Sequence, residues 1–175
     1  IVIATSYKSG TNWMQEIVRQ LIFQGQDVPE RENVSIKQIS FWLEQRGTPL
    51  DEVLSKLEAQ QHRRFLMCHL PLDGLPFFPQ MQYIVVGRDA RDVGMSMWNH
   101  YSEMVDAIFA NHNDAQQQEF APLPPPPADV HAFWQKWITQ GYFGWESEGY
   151  PFWGNLHHTQ SWWPYRHLSN VLFIH

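Results

Sequence analysis

Ile1-Val2-Ile3-Ala4-Thr5-Ser6-Tyr7-Lys8-Ser9-Gly10-Thr11-Asn12-Trp13-Met14 opens the chain and changes character twice within that stretch. The first four residues are apolar and mostly β-branched, the pattern of a short strand buried on both faces. A polar run with one glycine follows. Trp13, Met14, Ile17, Val18, Leu21 and Ile22 then recur at helical spacing, with Gly25 as terminator. Strand, polar loop and helix in that order bring backbone N–H groups, hydroxyls and the Lys8 ammonium to one point, which suits a phosphate or sulfate group. The G-x-x-x-x-G-K-[ST] spacing is absent, because the lysine here precedes the glycine. An ordinary strand-to-helix turn with a solvated lysine fits the same residues, so the segment needs a second site to decide it.

Phe65-Leu66-Met67-Cys68 reads as a strand ending at His69, Tyr83-Ile84-Val85-Val86 as one ending at Gly87-Arg88, and Val171-Leu172-Phe173-Ile174 as a fourth. Thr48-Pro49-Leu50-Asp51 supplies an N-cap, a proline at the first helical position and an acid in the first turn. Leu50, Val53, Leu54 and Leu57 mark the buried face of that helix. Another helix is predicted from about Arg91 to Phe109, with Val93, Met97, Met104, Val105 and Ile108 inward. Apolar strands alternating with helices predict an α/β fold, a central parallel sheet flanked by helices, whose ligands gather beyond the carboxyl ends of the strands. Lys8, His69 and Arg88 all fall at that edge. Residues 111–128, with Gln116-Gln117-Gln118 and Pro124 to Pro127, read as an exposed proline-rich loop.

A length of 175 residues suits one domain, 1–175, and 43% apolar against 17% charged residues excludes a disordered polyelectrolyte. Twelve Lys and Arg against 18 Asp and Glu give a net charge of −6, which argues against nucleic acid as a partner and requires any bound anion to be held locally. The single cysteine, Cys68, can form no intrachain disulfide, so a reducing cytoplasm fits. No apolar run approaches the roughly 20 residues of a membrane span. The start lacks an initiator Met and reads as trimmed, and the oligomeric state is left open.

Two further groups carry chemistry. Arg88 leaves a strand end and Ser96 follows about two helical turns later, so a guanidinium and a hydroxyl can share one phosphate. Arg88 paired with Asp89 or Asp92 is the competing account. His69, in Cys68-His69-Leu70-Pro71, could take a proton from a substrate hydroxyl, since an imidazole titrates at ~6.5. A structural histidine is the competing account there.

Taken together, these segments resemble the cytosolic sulfotransferase family, which uses 3′-phosphoadenosine 5′-phosphosulfate as sulfuryl donor. Thr5-Ser6-Tyr7-Lys8-Ser9-Gly10-Thr11-Asn12-Trp13 is similar to its T-Y-P-K-S-G-T-T-W loop, and Met67-Cys68-His69-Leu70-Pro71-Leu72 to its K-T-H-L-P-L segment. Arg88 through Asp92-Val93 to Ser96 resembles R-N-x-K-D-V-x-x-S, and His158 with Trp162-Trp163 looks like a later H-V-x-x-W-W. The resemblance implies a P-loop-like nucleotide-binding sulfotransferase fold. It implies that Lys8 stabilises the leaving phosphate, that Ser9, Gly10, Thr11 and Asn12 bind the 5′-phosphate, and that Trp13 stacks on adenine. Arg88 and Ser96 would hold the 3′-phosphate and His69 would activate the acceptor, a small, partly apolar molecule with a hydroxyl or amine. No metal is called for.

Four departures stand out. Tyr7 replaces a proline, Asn12 a threonine and Met67 a lysine that faces the transferred group, and the chain stops at His175 before any R-K-G-x-x-G-D-W-K segment, which closes over the nucleotide. Phe77, Phe78, Trp98 and Tyr101 are candidate walls of an acceptor pocket, with plain core packing as the alternative. A nucleoside-phosphate kinase of similar fold and a non-catalytic nucleotide-binding relative are the rival functions.

Overall fold

The computed structural model describes residues 1–26, 33–45, 49–104, 123–141 and 146–175. Four strands, β1 Val2–Thr5, β2 Leu66–Cys68, β3 Tyr83–Val86 and β4 Val171–Ile174, form one sheet in the order β2-β1-β3-β4. All three pairings are parallel, as expected of strands that are apolar on both faces. Helices α1 Thr11–Ile22, α2 Ile36–Ile39 and α3 Leu50–Ala59 lie between β1 and β2. Between β3 and β4 come α4 Ala90–Ser102, α5 Val130–Thr139 and α6 Asn155–Trp162.

The strand order places a site before any side chain is considered. β1 has β2 on one side and β3 on the other, so the chain leaves it in one direction and returns past it in the other, and a crevice opens at the carboxyl ends where the order reverses. Register sharpens this: Ala4 is level with Cys68 and Thr5 with Val86. The loop after Thr5, His69 after Cys68, and Arg88 after Val86 therefore leave the sheet at one edge.

The pleat sorts the core into two faces. Val2, Ala4, Cys68, Tyr83 and Val85 pack against Trp162 of α6, while Ile3, Phe65 and Val86 pack against Met14 and Val18 of α1. Ile3 is completely buried, and such a side chain contributes about 1.5–3 kcal/mol. A third cluster joins Val93, Met97 and Tyr101 of α4 to Phe133 and Trp137 of α5.

Some predicted inward positions face out. Met14 and Val18 are buried, but Trp13, Ile17 and Leu21 are exposed, as are Leu50 and Leu54 beside buried Val53 and Leu57. A helix laid on a sheet buries one i, i+4 row, and the adjacent row is turned about 100° away from it. Helix α4 begins at Ala90, with Asp89 as its N-cap accepting from the Arg91 N–H, and ends at Ser102. Val93 and Met97 are buried within it, whereas Val105 and Ile108 lie outside the described residues, as do Gln116-Gln117-Gln118. The described end of the proline-rich stretch is packed: Leu123 is buried in the third cluster and the Tyr101 hydroxyl donates to the Pro124 carbonyl.

Candidate functional site

The loop from Thr5 to Thr11 is built around two left-handed residues, Lys8 at φ 63° and Gly10 at φ 108°. Glycine takes this conformation freely, whereas for a lysine it costs roughly 1–2 kcal/mol, so the surrounding contacts must hold it. They do so from several directions. Arg88 Nη1 donates to the Lys8 carbonyl at 2.9 Å, the Ser9 N–H donates to the Ser6 carbonyl at 3.3 Å, and the Ser6 and Ser9 hydroxyls share a hydrogen bond of 2.6 Å. The turn delivers the chain into α1 with Gly10 at the N-cap, no side-chain cap and no acid in the first turn. The first N–H groups of that helix have no acceptor within it and sit at its positive end, a place for an anion.

His69 stands beside this loop, one residue past β2. Its Nδ1 lies 2.8 Å from the Thr5 carbonyl and 3.2 Å from Thr5 Oγ1, which also bonds Thr11 Oγ1 at 2.6 Å. A carbonyl only accepts, so Nδ1 carries the ring proton and Nε2 is the acceptor. Burial pushes the imidazole down to about 4, against a smaller upward push from the Thr5 carbonyl, so the ring is neutral at physiological pH. Tyr7 stacks on it at 4.2 Å, Trp42 meets it edge-on at 5.3 Å, and the His69 N–H donates to Glu44. Burial also raises the Glu44 carboxyl above its usual range. His158 is fully enclosed, and burial holds its ring down to about 3.

A cavity of about 1000 Å³ at the carboxyl edge is lined by Lys8, Gly10, Thr11, Asn12, Trp13, His69, Arg88 and Ser96. The structure thus brings both proposed phosphate ends and the imidazole to one space. Lys37 and Lys56 line it too, the latter paired with Glu52, and no carboxylate among the described residues does, so the lining is locally cationic in a chain of net charge −6; the His100 ring, also in the lining, is held toward its neutral form by burial and by the nearby Lys8 charge. Arg88 is not locked into a tight carboxylate pair: Asp92 stands 3.8 Å from it, and Asp89 pairs with Arg91 at 2.6 Å. Trp13 is 80% exposed, an open aromatic face at the rim. Among Ser9, Gly10, Thr11 and Asn12, expected at the 5′-phosphate, Ser9 is the exception. It is buried, does not line the cavity, and turns its hydroxyl to Ser6.

The four residues expected to wall an acceptor pocket do not line this cavity. Phe77 stacks on Tyr83 at 5.0 Å on the far face of the sheet, and exposed Phe78 offers its N–H to the Tyr83 hydroxyl. Trp98 packs on Phe133 at 5.5 Å, and Tyr101 is fully buried among α4 and α5. Tyr7, Phe41, Trp42 and Met67 are the large apolar side chains that line it beside Trp13. Trp42 reaches it because it bridges in parallel to Met67 beside β2, a pairing too short to leave a periodic pattern in the sequence. Among the described residues, no group of three or more His, Cys, Asp or Glu side chains could hold a metal ion.

Residues 1–175 match the family model described as a sulfotransferase domain. A glycolipid sulfotransferase of Mycobacterium bovis is 34% identical over 189 residues, covering 100% of this chain and 57% of the relative. Sulfotransferase 1A1 of Rattus norvegicus is 28% identical over 178 residues, covering 99% of this chain and 52% of its own length. The chain therefore spans about half the length of the curated relatives it matches. Among solved structures, retinol dehydratase in complex with androsterone and inactive cofactor PAP shares the fold, with a TM-score of 0.62 at 20% identity over 99% of this chain and 53% of that one.

Proposed function

The chain belongs to the sulfotransferase family, and from that premise we propose that it moves a sulfuryl group from 3′-phosphoadenosine 5′-phosphosulfate to a hydroxyl or amine of a small, partly apolar acceptor. The observation that carries this reading is the single cavity holding Lys8, His69 and Arg88, with the acceptor nitrogen of a neutral imidazole beside the loop. In the reaction the acceptor oxygen or nitrogen bonds to sulfur as the bond from sulfur to the bridging phosphate oxygen breaks. His69 Nε2 takes the acceptor's proton. Lys8 and the free N–H groups of Gly10 to Trp13 meet the charge that develops on the leaving phosphate, where fixed donors are worth most. Arg88 and Ser96 bind the 3′-phosphate, and Trp13 offers its face to adenine.

Residues 1–175 are read as one sulfotransferase domain. No described helix is long and apolar enough to cross a membrane. We extend the reading to the cytoplasm on the buried, free thiol of Cys68. The named mycobacterial relative makes a glycolipid sugar hydroxyl one acceptor worth including among the candidates. The test is transfer from radiolabelled donor to phenols, alcohols, amines and a glycolipid, alongside calorimetry with 3′,5′-adenosine bisphosphate in EDTA. Metal-independent nucleotide binding with label on an acceptor is expected. Binding of ATP with magnesium instead would favour a kinase, and nucleotide binding without any transfer would favour a binding protein.

A further inference from the structure

We propose that Asn155 is a positioning residue for the donor loop, acting through Ser6 and Ser9; the inference rests on the reading above. Asn155 is 149 residues away in sequence, yet its Nδ2 donates to Ser6 Oγ at 2.5 Å, and Ser6 Oγ lies 2.6 Å from Ser9 Oγ. All three residues are buried. The Asn155 amide nitrogen can only donate, so Ser6 accepts from it, and the serine hydroxyls share the next proton. The clasp spans the residue that needs it. Ser6 and Ser9 flank Tyr7 and Lys8, and Lys8 is the loop's non-glycine residue in the left-handed region. Where the resembled loop carries T-Y-P-K, this chain has Thr5-Ser6-Tyr7-Lys8, so it lacks the proline that fixes φ one residue earlier. The restraint comes from outside the loop.

Asn155 is itself fixed. As the first residue of α6 it donates its backbone N–H to Glu148 Oε2 at 3.1 Å, while Glu148 Oε1 accepts from the His157 N–H at 3.0 Å. The carboxylate reaches both amides because Gly154 has no side chain: a Cβ there would stand 2.0 Å from Glu148 Oε1. A capped helix end therefore aims one amide at the loop, and the loop's serines transmit the restraint to Lys8 and Gly10.

Calorimetric titration with 3′,5′-adenosine bisphosphate tests this in the wild-type protein and in Asn155→Ala, Ser6→Ala, their double variant and Ser6→Thr. Each alanine variant should weaken binding by about tenfold, the value of one buried hydrogen bond, and the double variant should be no weaker than either single one. Ser6→Thr, which keeps the hydroxyl, should retain wild-type affinity. In the transfer assay the donor KM should rise while the acceptor KM stays put, a split that general loss of structure does not give. Wild-type affinity in both alanine variants, or additive losses in the double variant, would overturn the inference while leaving the sulfotransferase reading intact. Failure of the wild type to bind the bisphosphate defeats that reading, and this one with it. If Asn155→Ala does not fold, Ser6→Ala with its threonine rescue decides.

Discussion

Around Lys8 the cavity wall is tied down by distant parts of the chain: Asn155 reaches Ser6, Arg88 reaches the Lys8 carbonyl, and Thr5 bridges Thr11 and His69. Around Ser96 the wall is looser. Arg88 is exposed, its nearest carboxylate is 3.8 Å away, and Ser96 is half-buried on α4. The difference matches what the proposed reaction asks of each end. Charge that develops during a reaction is best met by groups already in place, because they need no reorganisation when the barrier is crossed. A phosphate that is merely held can order its partners on arrival, at some loss of affinity. Replacing the group that acts on the acceptor at the tied end, His69, should therefore lower turnover, whereas replacing groups that only hold the nucleotide, in the Asn155–Ser6 clasp or at the loose end, should weaken binding.

The largest expected effect is at His69. His69→Ala should lower kcat by about 10²–10⁴-fold while affinity for 3′,5′-adenosine bisphosphate stays close to wild type, measured by single-turnover transfer and calorimetry. Turnover within tenfold of wild type would break the assignment of chemistry to the tied end.

The same burial makes that end sensitive to acid. His69 and His158 titrate at about 4 and about 3 in the folded protein, below the usual value near 6.5, because burial penalises the charged ring. Across the interval from about 6.5 down to those values the unfolded chain binds more protons than the folded one, so stability rises with pH there and is lost as pH falls. Between pH 7 and pH 5 each ring should cost about 2 kcal/mol. Urea unfolding at the two pH values checks this, and His158→Phe should remove about 2 kcal/mol of the loss, with His69 and His100, whose ring burial also holds down, supplying what remains.

Arg88 belongs to both ends. It lines the cavity and also holds the Lys8 carbonyl, so Arg88→Ala should raise the donor KM by about 10- to 100-fold and lower kcat as well. An effect on KM alone would show that its contact with Lys8 does nothing for turnover, which would sharpen the division between the ends.

The sequence made the tied end legible where local pattern carries the information and left it hidden where contact is long-range. The runs Val2–Thr5, Tyr83–Val86 and Val171–Ile174 form strands within a residue of expectation, because β-branched apolar residues suit a sheet covered on both sides. Lys8, His69 and Arg88 followed from where such strands end. The pocket walls did not follow. An aromatic ring's direction depends on which face its element presents, and Phe77, Phe78, Trp98 and Tyr101 face other parts of the fold. Tyr7, identifiable from sequence only as a missing proline, stacks on His69, Phe152 and Trp153. The bond from Asn155 to Ser6 leaves no periodic trace at all.

The smallest expected effect is at Ser96, and it tests the comparison most finely. On α4, Ser96 and His100 form one i, i+4 row that lines the cavity, while the next row, Met97 and Tyr101, is buried against α5. Removing the Ser96 hydroxyl therefore deletes one potential phosphate contact and disturbs no core packing. A hydrogen bond at a solvent-accessible rim, to an ion that water also serves, is worth about 0.5–1.5 kcal/mol, so Ser96→Ala should weaken 3′,5′-adenosine bisphosphate by about two- to tenfold. It should leave 5′-adenosine monophosphate, which has no 3′-phosphate, unaffected. Equal losses for both nucleotides would mean that α4 shapes the cavity as a whole, and the two ends could then no longer be treated as separate.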